Sequence, residues 1–135
     1  MITKPALSLA DVRRMATAAE AEATRNGWAM VIAIVDEGGH LLWFERLDGG
    51  RAGTVPIAIG KAETAARFQA PTKAFEDLTA GRLTFLAVPG VLPLEGGVPI
   101  LVDGQCVGAI GVSGGTSEQD VQVAEAGIAA LGGTK

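Results

Sequence analysis

The chain has 135 residues, among them 19 glycines, 6 prolines, 4 phenylalanines, 2 tryptophans and no tyrosine. Hydrophobic residues make up 48% and charged residues 19%, which excludes a disordered chain, and glycine without a three-residue period excludes collagen. A net charge of −4 with no basic cluster speaks against nucleic acid and anionic membranes as partners.

One domain over 1–135 is expected, with a core built from Ala, Val, Leu and Ile. Ser8 and Asp11 resemble a capping box, and Val12, Met15, Ala16, Ala19 and Ala23 recur at helical spacing. With Asn26-Gly27 as a stop, the pattern predicts a first helix over Leu9 to Arg25. Trp28 to Val35 and His40 to Arg46 read as two strands of a hairpin, because Asp36-Glu37-Gly38-Gly39 is too short for a parallel crossover.

Thr54 reads as the cap of a helix with Pro56 in its first turn and a small-residue face of Ala58, Ala62, Ala65 and Ala66. Thr72 reads as the cap of a short helix from Lys73 to Leu78. In the Pro- and Gly-rich segment from Arg82 to Gly97, an edge strand is expected near Thr84 to Ala87. Val98 to Val102, Asp103-Gly104 and Gln105 to Val112 form the clearest hairpin, with a type I′ turn. Ser117 with Asp120 suggests a second capping box, opening a helix whose stripe is Val121, Ala124, Ile128 and Leu131. The expected architecture is α+β (α/β in the broad sense) and profilin-like: one antiparallel five-stranded sheet with helices on both faces.

The chemistry-bearing candidates are few. Gly108 and Gly111 interrupt a strand, and Ser113, Gly114 and Gly115 lead into a helix N-terminus, so the segment is either close packing or an anion site. It matches neither the phosphate-binding loop nor the dinucleotide fingerprint. Gly96-Gly97 is a second glycine pair, and Lys61 and Thr64 lie on the small-residue helix, where Lys61 is either solvated or reaches into a pocket. Lys61, Thr64, Gly96, Gly97, Gly111, Ser113 and Gly114 are therefore the candidate ligand-binding set. His40, the one histidine, is a turn residue, a general base or an axial haem ligand. One cysteine, Cys106, excludes an intramolecular disulfide, and no metal cluster is expected. No signal-peptide pattern opens the sequence and no apolar run would span a bilayer, so a cytoplasmic location is expected.

Several segments together resemble one family. They are Val35-Asp36-Glu37-Gly38-Gly39-His40-Leu41 with Arg46-Leu47-Asp48-Gly49, and Ala58-Ile59-Gly60-Lys61-Ala62-Glu63-Thr64-Ala65. Gly96-Gly97-Val98-Pro99-Ile100, Asp103-Gly104 and Gly108-Ala109-Ile110-Gly111-Val112-Ser113-Gly114 follow, with Asp120 and Ala124 to Gly127 in the last helix. In that order they resemble the GlcG/HbpS-like family, which includes the C-terminal domain of certain corrinoid adenosyltransferases. The resemblance implies the profilin-like fold, a homo-oligomer (often an octamer) and small-molecule binding, with haem bound or degraded by some members. Some relatives place a haem-ligating histidine in the first helix. Here that helix has none, which leaves His40 as the candidate haem ligand. The expected function is a cytoplasmic module that binds a small organic acid beside a catabolic pathway. Haem binding and an isomerase or tautomerase acting on a small carbonyl acid are the alternatives.

Overall fold

A computed structural model describes residues 1–132; positions 133–135 of the expected domain lie outside the described residues. The first helix, α1 (Leu9–Arg25), has the expected bounds. Ser8 Oγ accepts the Asp11 amide, and Asp11 Oδ2 accepts the Ser8 amide, so two of the four free donors at the helix start are satisfied. Strands β1 (Val31–Asp36) and β2 (Leu41–Arg46) form the first hairpin, and β3 (Gly97–Val102) and β4 (Gln105–Ser113) the second. Asp103 and Gly104 have φ of 50° and 79°, the two positive angles a type I′ turn requires.

The sheet has four strands in the order β2-β1-β4-β3, every pair antiparallel, rather than the expected five. The edge strand expected near Thr84 to Ala87 is instead a 3-10 segment, Leu83–Ala87, in which no residue is buried. Its apolar, β-branched composition reads as a strand, but a strand needs a partner for its backbone groups, and here i→i+3 bonds satisfy them locally.

Helices cover both faces, as expected. Helices α1 and α4 (Ser117–Ala129) pack on one face over Ile32, Ile34, Ile110 and Val112. Helix α2 (Thr54–Phe68) lies on the other face, over Val31, Ala33, Val35 and Ala109. The α2 contact is close because glycine is its floor. A Cβ on Gly111 would run into the Ala58 carbonyl and the Ala62 amide, and one on Gly97 into the Lys61 carbonyl.

Three cap assignments shift. Thr54 is already inside α2, and its hydroxyl donates to the Arg51 carbonyl at 2.7 Å. Helix α3 runs Thr72–Gly81, and the Thr72 hydroxyl accepts the Gly97 amide at 2.9 Å instead of capping its own helix. Helix α4 is capped one residue earlier than expected: Thr116 and Gln119 form the box, and Asp120 turns into the core. In that helix Val123, not Val121, is buried beside Ala124. Among the described residues, no helix is long and apolar enough to cross a membrane.

Candidate functional site

Lys61 is neither solvated nor free to meet a ligand. Its side chain is 5% exposed, and Nζ donates to Asp120 Oδ2 at 3.0 Å and to the Val112 carbonyl at 2.9 Å. Asp120 Oδ1 in turn accepts the Gly115 amide at 3.0 Å. Burial pushes the Asp120 carboxyl above its ordinary range, against the opposing pull of Lys61 and the Gly115 amide. The pair ties α2 to the end of β4 and to the first turn of α4.

Most of the predicted glycine set serves that same junction. Gly96, at φ +135°, sits against the lysine: a Cβ there would lie 2.5 Å from Lys61 Nζ. Its carbonyl accepts the Val112 amide at 3.0 Å. Gly97 and Gly111 are the seats for α2 described above, and Ser113 is 5% exposed at the end of β4. Thr64 is buried; its hydroxyl donates to the Gly60 carbonyl and accepts the Leu92 amide, each at 2.8 Å, pinning the loop before β3. So six of the seven candidates, Lys61, Thr64, Gly96, Gly97, Gly111 and Ser113, are brought together as packing. Gly97 also borders a cleft beside Pro71 and Lys73, and Gly114 faces another.

That cleft holds about 360 Å3, between the α1–β1 connection and the turn after β4. Gly114 and Gly115 form one wall, Trp28 and Gly49 the other, and Arg51 and Gln119 bring polar side chains to it. The Arg51 guanidinium has no carboxylate within 4.0 Å among the described residues. A second cleft of about 410 Å3 adjoins it, sharing Gly27, Trp28 and Ala29, and continues past Leu47 to Glu20 and Asp48. Arg51 and Trp28 escape a motif search because neither sits in a recognisable pattern. The visible signal is compositional: Asn26-Gly27-Trp28 and Leu47-Asp48-Gly49-Gly50-Arg51 are two polar, glycine-bearing turns at the ends of strands that pair.

Glu45, on β2, sits close to Glu20 of α1. Burial and the neighbouring Glu20 carboxylate push its carboxyl up to about 7, although Trp43 Nε1 donates to Oε1 at 3.2 Å.

His40 lies elsewhere. It occupies the β1–β2 turn, where Asp36 Oδ1 accepts the backbone amides of Gly38 and His40 at 2.9 Å each. His40 Nδ1 is 3.2 Å from the same oxygen, and the imidazole is 78% exposed. It lines none of the clefts described. Asp36 pairs with Gly108, whereas Lys61 reaches Val112, so the two sites stand roughly 13 Å apart along β4. Lys61 and His40 therefore form no shared proton-transfer centre. Cys106 is half-buried, and burial raises its thiol. No cluster of three or more metal-ligating side chains occurs among the described residues.

The structure is a layered α+β fold, helices over a four-stranded antiparallel sheet, with an open groove at one end of the sheet. The chain belongs to the HbpS-like family, whose model, described as haem degrading protein HbpS-like, matches residues 7–129. It is 44% identical to protein GlcG of Escherichia coli strain K12 over 84% of this chain and 85% of that one. Among solved structures it resembles a double mutant of Streptomyces reticuli HbpS, at 34% identity and TM-score 0.90, covering 98% of this chain and 91% of that one. It also resembles the haem complex of PduOC, at 30% identity and TM-score 0.87, covering 96% and 99% of the two chains.

Proposed function

We propose that the chain is a cytoplasmic binding module, accessory to a catabolic pathway, whose ligand is a small organic acid held in the Arg51–Gly114 cleft. The observation that carries this reading is Arg51: a cation with no carboxylate within 4.0 Å among the described residues, on the wall of a cleft with exposed glycine backbone opposite. A guanidinium presents the paired donors a carboxylate needs. Trp28 supplies an apolar surface for a short carbon chain. Thermal-shift and calorimetric titrations with glycolate, glyoxylate and related acids test the reading. Stabilisation by at least one acid, lost in Arg51→Ala, is expected. No response from wild type, or an equal response in Arg51→Ala, overturns it.

Haem is the second reading, favoured by the likeness to the PduOC haem complex and by the exposed His40 imidazole. Asp36 Oδ1 stands 3.2 Å from Nδ1, which leaves Nε2 as the nitrogen to donate to iron. The fit is incomplete within one chain. An apolar slot for the macrocycle would have to stand beside His40, and the clefts described lie elsewhere.

Self-association, up to an octamer, accompanies either reading. Leu78, Leu83 and Leu86 are 48%, 72% and 63% exposed around the 3-10 segment, and a second copy would cover them. Light scattering on the purified chain measures it.

A further inference from the structure

The two adjoining clefts form one trough with opposite charge at its two ends. The segment Gly27-Trp28-Ala29 runs along both. At one end stands Arg51; at the other stand Glu20 and Asp48. Asp48 and Arg51 are three residues apart on one loop, yet they form no ion pair: each faces its own half of the trough. Neither Glu20 nor Asp48 has a cationic partner within 4.0 Å among the described residues. Glu45, whose Oε1 accepts Trp43 Nε1, is the neighbouring carboxyl on β2.

The charge of unpaired carboxylates on an open cleft is relieved by a cation, and that of an unpaired guanidinium by an anion. A ligand carrying both relieves both without bringing a counterion into the trough. We propose that the trough takes a zwitterion of the amino-acid class, with its carboxylate at Arg51 and its ammonium between Glu20 and Asp48. The inference rests on the carboxylate reading above and adds the second recognition element. It makes Trp28 the divider over which the carbon chain passes, so the spacing between the two charged groups decides which amino acid fits.

The test is calorimetric titration of the whole chain with matched pairs that differ only in ammonium against hydroxyl. Glycine with glycolate, β-alanine with 3-hydroxypropionate, and 4-aminobutyrate with 4-hydroxybutyrate span the spacing. At least one amino member is expected to bind about threefold more tightly than its hydroxy partner, as an exposed ion pair provides. In the Glu20→Gln, Asp48→Asn double variant that preference disappears while the hydroxy acid still binds; in Arg51→Gln both members weaken. All three positions are surface residues, so the variants are expected to fold. Hydroxy acids that bind as tightly as their amino partners overturn the inference and leave the carboxylate reading standing. So does a preference for the amino member that survives in the double variant. Failure of every compound to bind overturns both.

Discussion

Lys61 Nζ and Asp120 Oδ2 are 3.0 Å apart, with the two side chains 5% and 4% exposed, and each belongs to a helix on the opposite face of the sheet. The ion pair passes around the end of β4 and joins the two outer layers. Its hydrogen bonds also reach the Val112 carbonyl and the Gly115 amide, so helix, strand end and turn meet at one point. Removing one partner leaves the other charge buried. Lys61→Ala or Asp120→Ala is expected to cost about 3–5 kcal/mol in urea unfolding. The pairwise substitution Lys61→Met with Asp120→Leu is expected to recover most of that loss. A double variant as unstable as the sum of the two singles would show that the pair is not coupled.

Glycine substitutions should separate by position. Gly111→Ala drives a methyl into the backbone of α2 and is expected to lose about 1–3 kcal/mol or more. Gly53→Ala meets nothing within 4 Å and keeps a helical φ of −63°, so it should gain about 0.4–1 kcal/mol by restricting the unfolded chain. Denaturant midpoints for the two variants, compared with wild type, read the contrast directly.

The Glu45 carboxyl gives stability a slope with pH. Its folded value is raised from 4.5 to about 7, so the folded state binds the proton more tightly than the unfolded one. The stabilisation is fully present below pH 4.5, and it is lost as pH rises through about 7. The melting temperature is therefore expected to fall across that window, and Glu45→Gln to flatten the slope. A wild-type profile that rises over the same range would contradict the assignment.

Haemin titration decides the second reading. If His40 is the axial donor, wild type shifts the Soret band and His40→Ala does not. A free-haemin spectrum with wild-type protein removes haem from consideration, and an unchanged shift in His40→Ala moves the ligand to another residue.

Local chemistry was legible wherever the partners lie close in sequence. Ser8, Asp11 and Asn26-Gly27 bound α1 correctly because caps are contacts within a few residues. Asp103-Gly104 gave the turn, which sets the pairs Val102 with Gln105 and Leu101 with Cys106; beyond them a bulge shifts the register. The cap of α4 slipped by one because Thr116 and Ser117 each stand three residues before a plausible partner, and only the burial of Asp120 separates them. The 3-10 segment was read as a strand because composition does not say whether a neighbouring strand is available. The candidate site failed for a related reason. Lys61 and Asp120 are 59 positions apart, and neither alternative considered for the lysine, surface or pocket, includes a buried partner that distant. Its neighbours carried a hint: Ala58, Ala62 and Ala65 place it on the face of α2 that must be buried.

The glycine seats under α2 also act as an index. Ala58 and Ala62 rest at Gly111 and Lys61 rests at Gly97, where the backbone offers no Cβ to climb over. A helix displaced along β4 would leave Gly111 for Ala109 or Ser113, its neighbours on the same face, and each of these carries a Cβ where Gly111 offers only hydrogen. The helix therefore has one axial setting on the sheet, fixed by what is missing from the strand rather than by any large side chain. A chain with so little aromatic bulk obtains a single alignment of its layers by subtraction.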